Sequence, residues 1–217
     1  MKITLGTVQF GLDYGISNTN GQVCEREVEK ILHIASVNGI DTLDTAHAYG
    51  TAEKVLGKFD LSRFKIVTKL FDNDLLENSL SDMNVSQVYA VMFHRENQIN
   101  DKTWGYFERI KAEGLVEKIG VSAYSPEVLR DIVSKYPVDI VQVPMNILDF
   151  SFYDVIKEMK QKNIEVHTRS AFLQGLLLMP ADSLSDYFDE IKPILRKIPE
   201  PRLRTALHCL KKIQEIV

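Results

Sequence analysis

Cysteine is scarce in this chain. Cys24 and Cys209 are the only two, far apart and without metal-ligand spacing. That excludes a disulfide scaffold and a thiolate metal site, and it fits free thiols in a reducing cytoplasm. No apolar run approaches the length of a membrane-spanning helix, so no membrane partner is expected. The opening M-K-I-T-L-G lacks the apolar core of a signal peptide and runs straight into a strand pattern. Positive charge is not in excess: 26 Lys and Arg stand against 30 Asp and Glu, a net charge of −4. With no basic stripe either, nucleic acid is excluded as a partner. Hairpin signals, low-complexity linkers and a G-x-G-x-x-G turn are all missing.

What is present is an ordinary globular composition, 45% hydrophobic and 26% charged over 217 residues. One domain, 1–217, is the economical reading. Short β-forming runs predict strands at Ile3 to Gln9, Asp41 to Leu43, Lys65 to Lys69, Gln87 to Phe93, Lys118 to Ser122, Asp139 to Val143 and Ile164 to Thr168. Helical spacing fills the intervals: Glu25 to Asn38, Ala52 to Phe59, Asp74 to Met83, Lys102 to Glu113, a helix opened by Ser125-Pro126-Glu127, and Tyr153 to Lys162. Two further helices are predicted, Tyr187 to Arg196 and Pro201 to Gln214. Seven strand–helix alternations with apolar strands mean a parallel sheet covered by helices. An open doubly wound sheet and a (β/α)8 barrel both fit, and the missing glycine-rich turn counts against the first.

Polar groups recur at the carboxyl ends of these strands: Asp44, Lys69, His94, Ser122, Gln142 and Arg169. Packing alone does not place them there, and in a barrel that edge is where chemistry is done. Asp44, with Tyr49 in the loop behind it, joins Lys69 and His94 to make a proton-transfer set. A phenol ionises at about pH 10 in isolation. A nearby ammonium lowers that value, and a carboxylate holds the ammonium in place. A histidine beside the phenol orients a carbonyl or shares the proton. Reduction of a carbonyl also needs a hydride, which no side chain supplies, so a nicotinamide cofactor is implied.

The motifs resemble those of aldo-keto reductases. The matching pieces are L-G-T-V-Q-F-G at 5–11, D-T-A-H-A-Y-G-T-A-E at 44–53, K-I-V-T-K ending at Lys69, and V-M-F-H ending at His94. They continue with K-I-G-V-S at 118–122, V-Q-V-P-M-N at 141–146 and R-S-A-F-L-Q-G-L-L at 169–177. The resemblance implies a (β/α)8 TIM-type barrel that reduces a carbonyl to an alcohol, or the reverse, with NADPH as donor. It implies Tyr49 as general acid, Lys69 as the group lowering its pKa, Asp44 as the carboxylate pairing that lysine, and His94 as the residue orienting the carbonyl. It further implies cofactor contacts at Ser122, Gln142, Arg169, Ser170, Phe172, Gln174 and Gly175, with no metal. Two departures stand out. Ala123 replaces an amide residue beside Ser122, and Arg169 replaces an aromatic residue under the nicotinamide, where its guanidinium plane can stack. The first-loop pattern T-V-Q-F-G-L-D-Y-G-I resembles a branch found among bacterial surface-polysaccharide genes, which implies a sugar-derived carbonyl.

Other residues carry plainer expectations. His33, His167, His208 and Trp104 read as packing residues, and His47 as loop surface or a secondary substrate contact. Asp13 and Tyr14 read as loop residues on the substrate side, and Cys24 as a helix-leading thiol with no partner. The residues reach Val217 before the eighth strand and the adenosine-phosphate grip that the resemblance implies. A barrel cut there has two unpaired strand edges. The expectation is a carboxyl-terminal segment folded over the gap or a homodimer formed through it, with NADPH bound weakly and poorly distinguished from NADH. A catalytically impaired remnant, or a binding subunit of the same fold, is the competing reading.

Overall fold

The protein is described by a computed structural model over residues 2–199, with Thr205, Leu207, His208 and Lys211. In chain order the elements are β1 (Leu5–Gly6), α1 (Val8–Gly11), α2 (Glu25–Val37), β2 (Thr42–Asp44), α3 (Ala52–Leu56), β3 (Lys65–Leu70), α4 (Leu76–Met83) and β4 (Val88–Phe93). They continue with α5 (Asp101–Ala112), β5 (Val116–Ser122), α6 (Pro126–Lys135), β6 (Ile140–Pro144), α7 (Tyr153–Gln161), β7 (Glu165–Arg169) and α8 (Lys192–Leu195). Side-chain caps fix two of the helix starts. Asn100 accepts from the Lys102 and Thr103 amides ahead of α5, and Ser125 accepts from the Val128 amide behind a Pro126 start of α6.

All seven strands are parallel, and each pairs only with its neighbours in sequence, in the order β1 to β7. A doubly wound sheet reverses its order at a switch point, so this order decides for a barrel wall. Curvature follows from side chains that meet across it. Gln142 on β6 lies 3.0 Å from Asp44 on β2. Four flat strand spacings would hold those strands about 19 Å apart. Glu165 on β7 likewise reaches the Tyr89 hydroxyl on β4 at 2.5 Å. The sheet is a rolled, seven-stranded partial barrel, with β1 and β7 unpaired to each other among the described residues.

Apolar residues on both faces of the strands build two layers. Val67, Ala90, Met92 and Ile140 fill the inside of the roll. Leu43, Ile66, Val91, Phe93, Ile119, Val121, Val141 and Val143 face the helices in the larger outer core. Burial on both faces explains why the strands read as near-continuous apolar runs.

Two elements differ from the sequence reading. The expected strand Ile3 to Gln9 is a two-residue ladder that turns into α1, because Phe10 is buried and Gly11 packs where no side chain fits. A methyl on Gly11 would lie 1.9 Å from the Tyr49 carbonyl oxygen. The expected helix Tyr187 to Arg196 is split into a 3-10 turn, Asp186–Phe188, and the short α8. Pro193 has no N–H for a helix interior and sits in the first turn of α8 instead. Leu176, Leu177, Ala181, Leu184, Leu195 and Ile198 form a separate apolar cluster in this region. Most of the helix expected over Pro201 to Gln214 lies outside the described residues; the four that are described are helical. No helix among the described residues is long and apolar enough to cross a membrane.

Gly120 sets the closest strand approach in the wall, since a methyl there would lie 1.7 Å from the Ile140 carbonyl oxygen. Gly120→Ala is expected to force β5 and β6 apart and lower stability by about 1–3 kcal/mol. Urea unfolding measures this, and an unchanged midpoint would contradict the β5–β6 register.

Candidate active site

The carboxyl ends of β2, β3, β4, β5, β6 and β7 converge on one cluster. β2 stops at Asp44, and the following turn is pinned to β3 by two backbone bonds, Thr45 N–H to the Val67 carbonyl (2.9 Å) and His47 N–H to the Lys69 carbonyl (3.0 Å). This fixes Tyr49 over the end of β3. Lys69 is 1% exposed. Its ammonium donates to Asp44 Oδ1 at 2.6 Å and to the Thr45 carbonyl at 3.0 Å. It lies 5.3 Å from the centre of the Tyr49 ring. The Gln142 amide nitrogen donates to the same Asp44 oxygen at 3.0 Å, while its own Oε1 is buried with no partner.

His94 lies across from these groups. Its ring stacks on Phe71 (4.8 Å, 8° between planes) and meets Tyr49 edge-on at 6.0 Å. Burial, helped by the charges of Lys69 and Arg95, pushes its pKa down to about 4. The ring is therefore neutral at neutral pH. For Tyr49 the sequence reading needs correcting. Burial first, then the Asp44 charge, push the phenol above its ordinary value, and the cation that acts in the opposite direction is Arg169. Lys69 lies 5.3 Å from the ring centre and gives its hydrogen bonds to Asp44 and Thr45.

Arg169, at the end of β7, is held by neutral groups. It donates to Ser122 Oγ (3.3 Å), Ser170 Oγ (3.3 Å) and the Ala123 carbonyl (3.2 Å), and its guanidinium lies 4.1 Å from the Tyr124 ring centre. Arg169 thus stands where the aromatic residue is implied, with the Tyr124 ring stacked on its guanidinium. The loop that follows is seated on the first loop of the chain. Ser17 N–H points to the Gln174 carbonyl at 3.4 Å, and Phe172 closes a turn on Gly175 at 3.0 Å. Ser170, Leu173, Gln174 and Gly175 all have positive φ there. The structure therefore brings together Asp44, Tyr49, Lys69, His94, Ser122, Gln142 and Arg169, with Ser170 attached through Arg169. Among the described residues, Phe172, Gln174 and Gly175 make no hydrogen bond with that cluster.

Three contributors were not read from the sequence as site residues. Glu53, 3% exposed, accepts from Thr68 Oγ1 at 2.6 Å and lies 3.3 Å from His47 Nδ1, tying α3 and the Tyr49 loop to β3. Its signal was an acid in the first helical turn behind Tyr49. Phe71 and Tyr124 had none. Trp104 is buried between Phe93 and Tyr136 as packing, and His167 lies 2.8 Å from Glu165 inside the roll. Asp13 and Tyr14 belong to a loop tied together by Asn18. Cys24 is exposed ahead of α2. A cleft of about 500 Å3 opens elsewhere, beside Phe59, Lys65, Met83, Tyr89 and Glu117, and shares no residue with this cluster.

The family described as "Aldo/keto reductase family" matches this chain over residues 2–217. The chain belongs to the aldo-keto reductase family. Among solved structures, an aldo-keto reductase from Bacillus halodurans in its holo form superposes with a TM-score of 0.76 at 19% identity, covering 98% of this chain and 78% of that one. An aldo-keto reductase of Bombyx mori in complex with NADP gives a TM-score of 0.63 at 19% identity, over 78% of this chain and 62% of that one. L-galactose dehydrogenase of Arabidopsis thaliana is 23% identical, over 81% of this chain and 64% of its own length. The match covers 46% of two mycobacterial aldo-keto reductases. The chain thus spans between about half and two thirds of these curated relatives.

Two stability outcomes follow for this aldo-keto reductase. A histidine whose pKa is depressed on folding leaves the unfolded chain with more bound protons, so stability falls as pH falls. His94 is expected to make the melting temperature fall between about pH 6.5 and about pH 4, and His94→Asn to flatten that slope. Lys69→Met leaves the Asp44 carboxylate with Gln142 alone and is expected to cost about 3–5 kcal/mol. Adding Asp44→Asn should recover part of it; chemical denaturation of the single and double variants reads both.

Proposed function

We propose that this protein reduces a carbonyl compound to an alcohol, or runs the reverse reaction, with Tyr49 as the proton donor. The observation that carries this reading is the Asp44–Lys69 pair, 2.6 Å apart, set under the Tyr49 ring with His94 edge-on to it. Among the described residues the Tyr49 hydroxyl has no hydrogen-bond partner, so its proton is available to a substrate oxygen.

The residues present fit a nicotinamide. The buried, unpartnered Oε1 of Gln142 can accept from a carboxamide N–H, and the Ser122 hydroxyl stands on the neighbouring strand. Arg169, Ser170, Phe172, Gln174 and Gly175 extend the cofactor contacts along β7 and its loop. When bound, NADPH supplies the hydride. Tyr49 then gives its proton to the developing alkoxide, which is a stronger base than any phenolate, so transfer runs downhill even from a phenol with a raised pKa. Neutral His94 donates to the carbonyl oxygen and orients it. The Lys69–Asp44 pair supports the Tyr49 ring from beneath without adding net charge of its own. A sugar-derived carbonyl suits the first-loop pattern, and the relative named for L-galactose supports that class.

Tyr49→Phe is expected to lower the rate of aldehyde reduction about 10²- to 10⁴-fold while NADPH still quenches protein fluorescence. A Phe variant that keeps more than half the activity would remove Tyr49 from the role. Wild-type protein with neither quench nor turnover would favour the remnant reading instead.

A further inference from the structure

His94 stands in the site without the anchor that a working histidine usually has. The plane of an imidazole is ordinarily set by a hydrogen bond at one ring nitrogen, to a carbonyl or a carboxylate, which leaves the other nitrogen for its task. In His94 the Nδ1 atom is buried with no partner. The torsion that turns the ring is soft, with broad and roughly two-fold wells. Something else must hold the plane.

Strand register supplies it. β3 and β4 pair with Leu70 opposite Phe93, and the His94 N–H continues the ladder to the Leu70 carbonyl at 2.9 Å. One step further, Phe71 stands beside His94. The two lie on one face of the sheet, each two residues beyond an inward side chain, Lys69 and Met92. Neighbouring strands run about 4.8 Å apart, and the two rings stack at that separation, 4.8 Å between centres with 8° between planes.

Phe71 is itself fixed, and the core does not use it. Its N–H donates to Asp74 Oδ2 at 2.8 Å, and its carbonyl accepts from the Asp74 N–H at 3.1 Å, a reciprocal pair that pins the turn. The ring is half-buried and joins none of the three apolar clusters of the described residues. With Phe71 on its face, His94 meets the Tyr49 ring at 86°, 6.0 Å between centres.

We propose that Phe71 is a positioning residue whose flat face, in place of a hydrogen bond, fixes the plane of His94 against Tyr49. This rests on the carbonyl-reduction reading, in which His94 orients the substrate oxygen, and Phe71 acts through the imidazole alone. The same ring adds to the burial that keeps His94 neutral. The charges that reach His94 are those of Lys69, Arg95 and Arg169, which lower its pKa, and of Asp44, which raises it.

Three variants of the full chain separate the flat face from mere cover. Phe71→Leu keeps an apolar side chain without a ring, Phe71→Tyr keeps the ring, and Phe71→Ala removes both. With NADPH and a model aldehyde, Phe71→Leu is expected to lower kcat about tenfold or more with the KM for NADPH unchanged, and Phe71→Tyr to stay within about twofold of the wild type. Proton NMR of the histidine rings reads the stack directly, the His94 signals being identified by their loss in His94→Asn. They should carry an upfield ring-current displacement that Phe71→Leu abolishes and Phe71→Tyr keeps. The wild-type ring should not titrate between about pH 7.5 and about pH 5, whereas Phe71→Ala, which wets its face, should bring the pKa up into that window.

Unchanged kcat in Phe71→Leu overturns the proposal. An equal loss in the Leu and Tyr variants overturns it too, since that marks a side chain that only fills space. So do wild-type His94 signals that lack the ring-current displacement. If the wild type reduces no aldehyde, the reductase reading falls by itself, and the NMR comparison alone decides whether Phe71 holds the ring.

Discussion

The site depends on one buried ion pair. Lys69 points its ammonium into the roll of the sheet, where it is 1% exposed and cannot be left unpaired. Asp44 Oδ1 and the Thr45 carbonyl satisfy it, and both lie at the end of β2 only because Asp44 is in register with Val67 on β3. A slip of one residue would turn Lys69 into the helix layer and leave Asp44 facing apolar strands. The same carboxylate oxygen also accepts from Gln142, four strands away, so the pair ties register to curvature. Tyr49 inherits its position from this arrangement, through the turn pinned to β3 on either side of Ala46.

Around that pair the charges sort themselves. Burial keeps His94 neutral and Tyr49 protonated, while the Lys69 charge is locally cancelled. Neutral donors suit an oxygen that becomes negative during reaction, because they stabilise it without reorganising. Arg169 is the exception, a charge held by neutral atoms at the rim, and its weak pull on Tyr49 is the effect the sequence reading had assigned to Lys69.

Strand order and the central residues were legible because their signals are local: a short apolar strand and a polar residue at its carboxyl end. Asp44, Lys69, His94, Ser122 and Gln142 were each found this way. The same logic failed where geometry is set by distant packing. Ile3 to Gln9 alternates like a strand, but Gly11 must slide under the Tyr49 turn, so the chain coils after Gly6. Tyr187 to Arg196 has helical spacing, but Pro193 confines α8 to four residues. Tyr124 under Arg169 depends on how far the sheet curls, and Phe71 under His94 on the register of β3 with β4, neither of which residue spacing encodes.

Composition alone would not have chosen this site over another in the same protein. At the other end of the strands Glu165, Tyr89, Lys118 and His167 gather the same four residue types: acid, phenol, lysine and histidine. There the chemistry is already spent. The Tyr89 proton is given to Glu165 at 2.5 Å, the Lys118 ammonium bonds the same carboxylate oxygen, and His167 lies 2.8 Å from the other one. His167, with Lys118 and Tyr89, holds the Glu165 carboxyl well below the usual range, so this cluster braces β4, β5 and β7. At the carboxyl ends Gln142 Oε1 and His94 Nδ1 are buried without partners, but so is His167 Nδ1 in the brace, so unmatched buried atoms alone do not separate the two. The phenols do. The Tyr89 hydroxyl is hydrogen-bonded to Glu165, whereas the Tyr49 hydroxyl has no hydrogen-bond partner among the described residues. The difference between a brace and a site is therefore not which residues meet, but whether the phenol's proton is already committed to a carboxylate or left for something else to take.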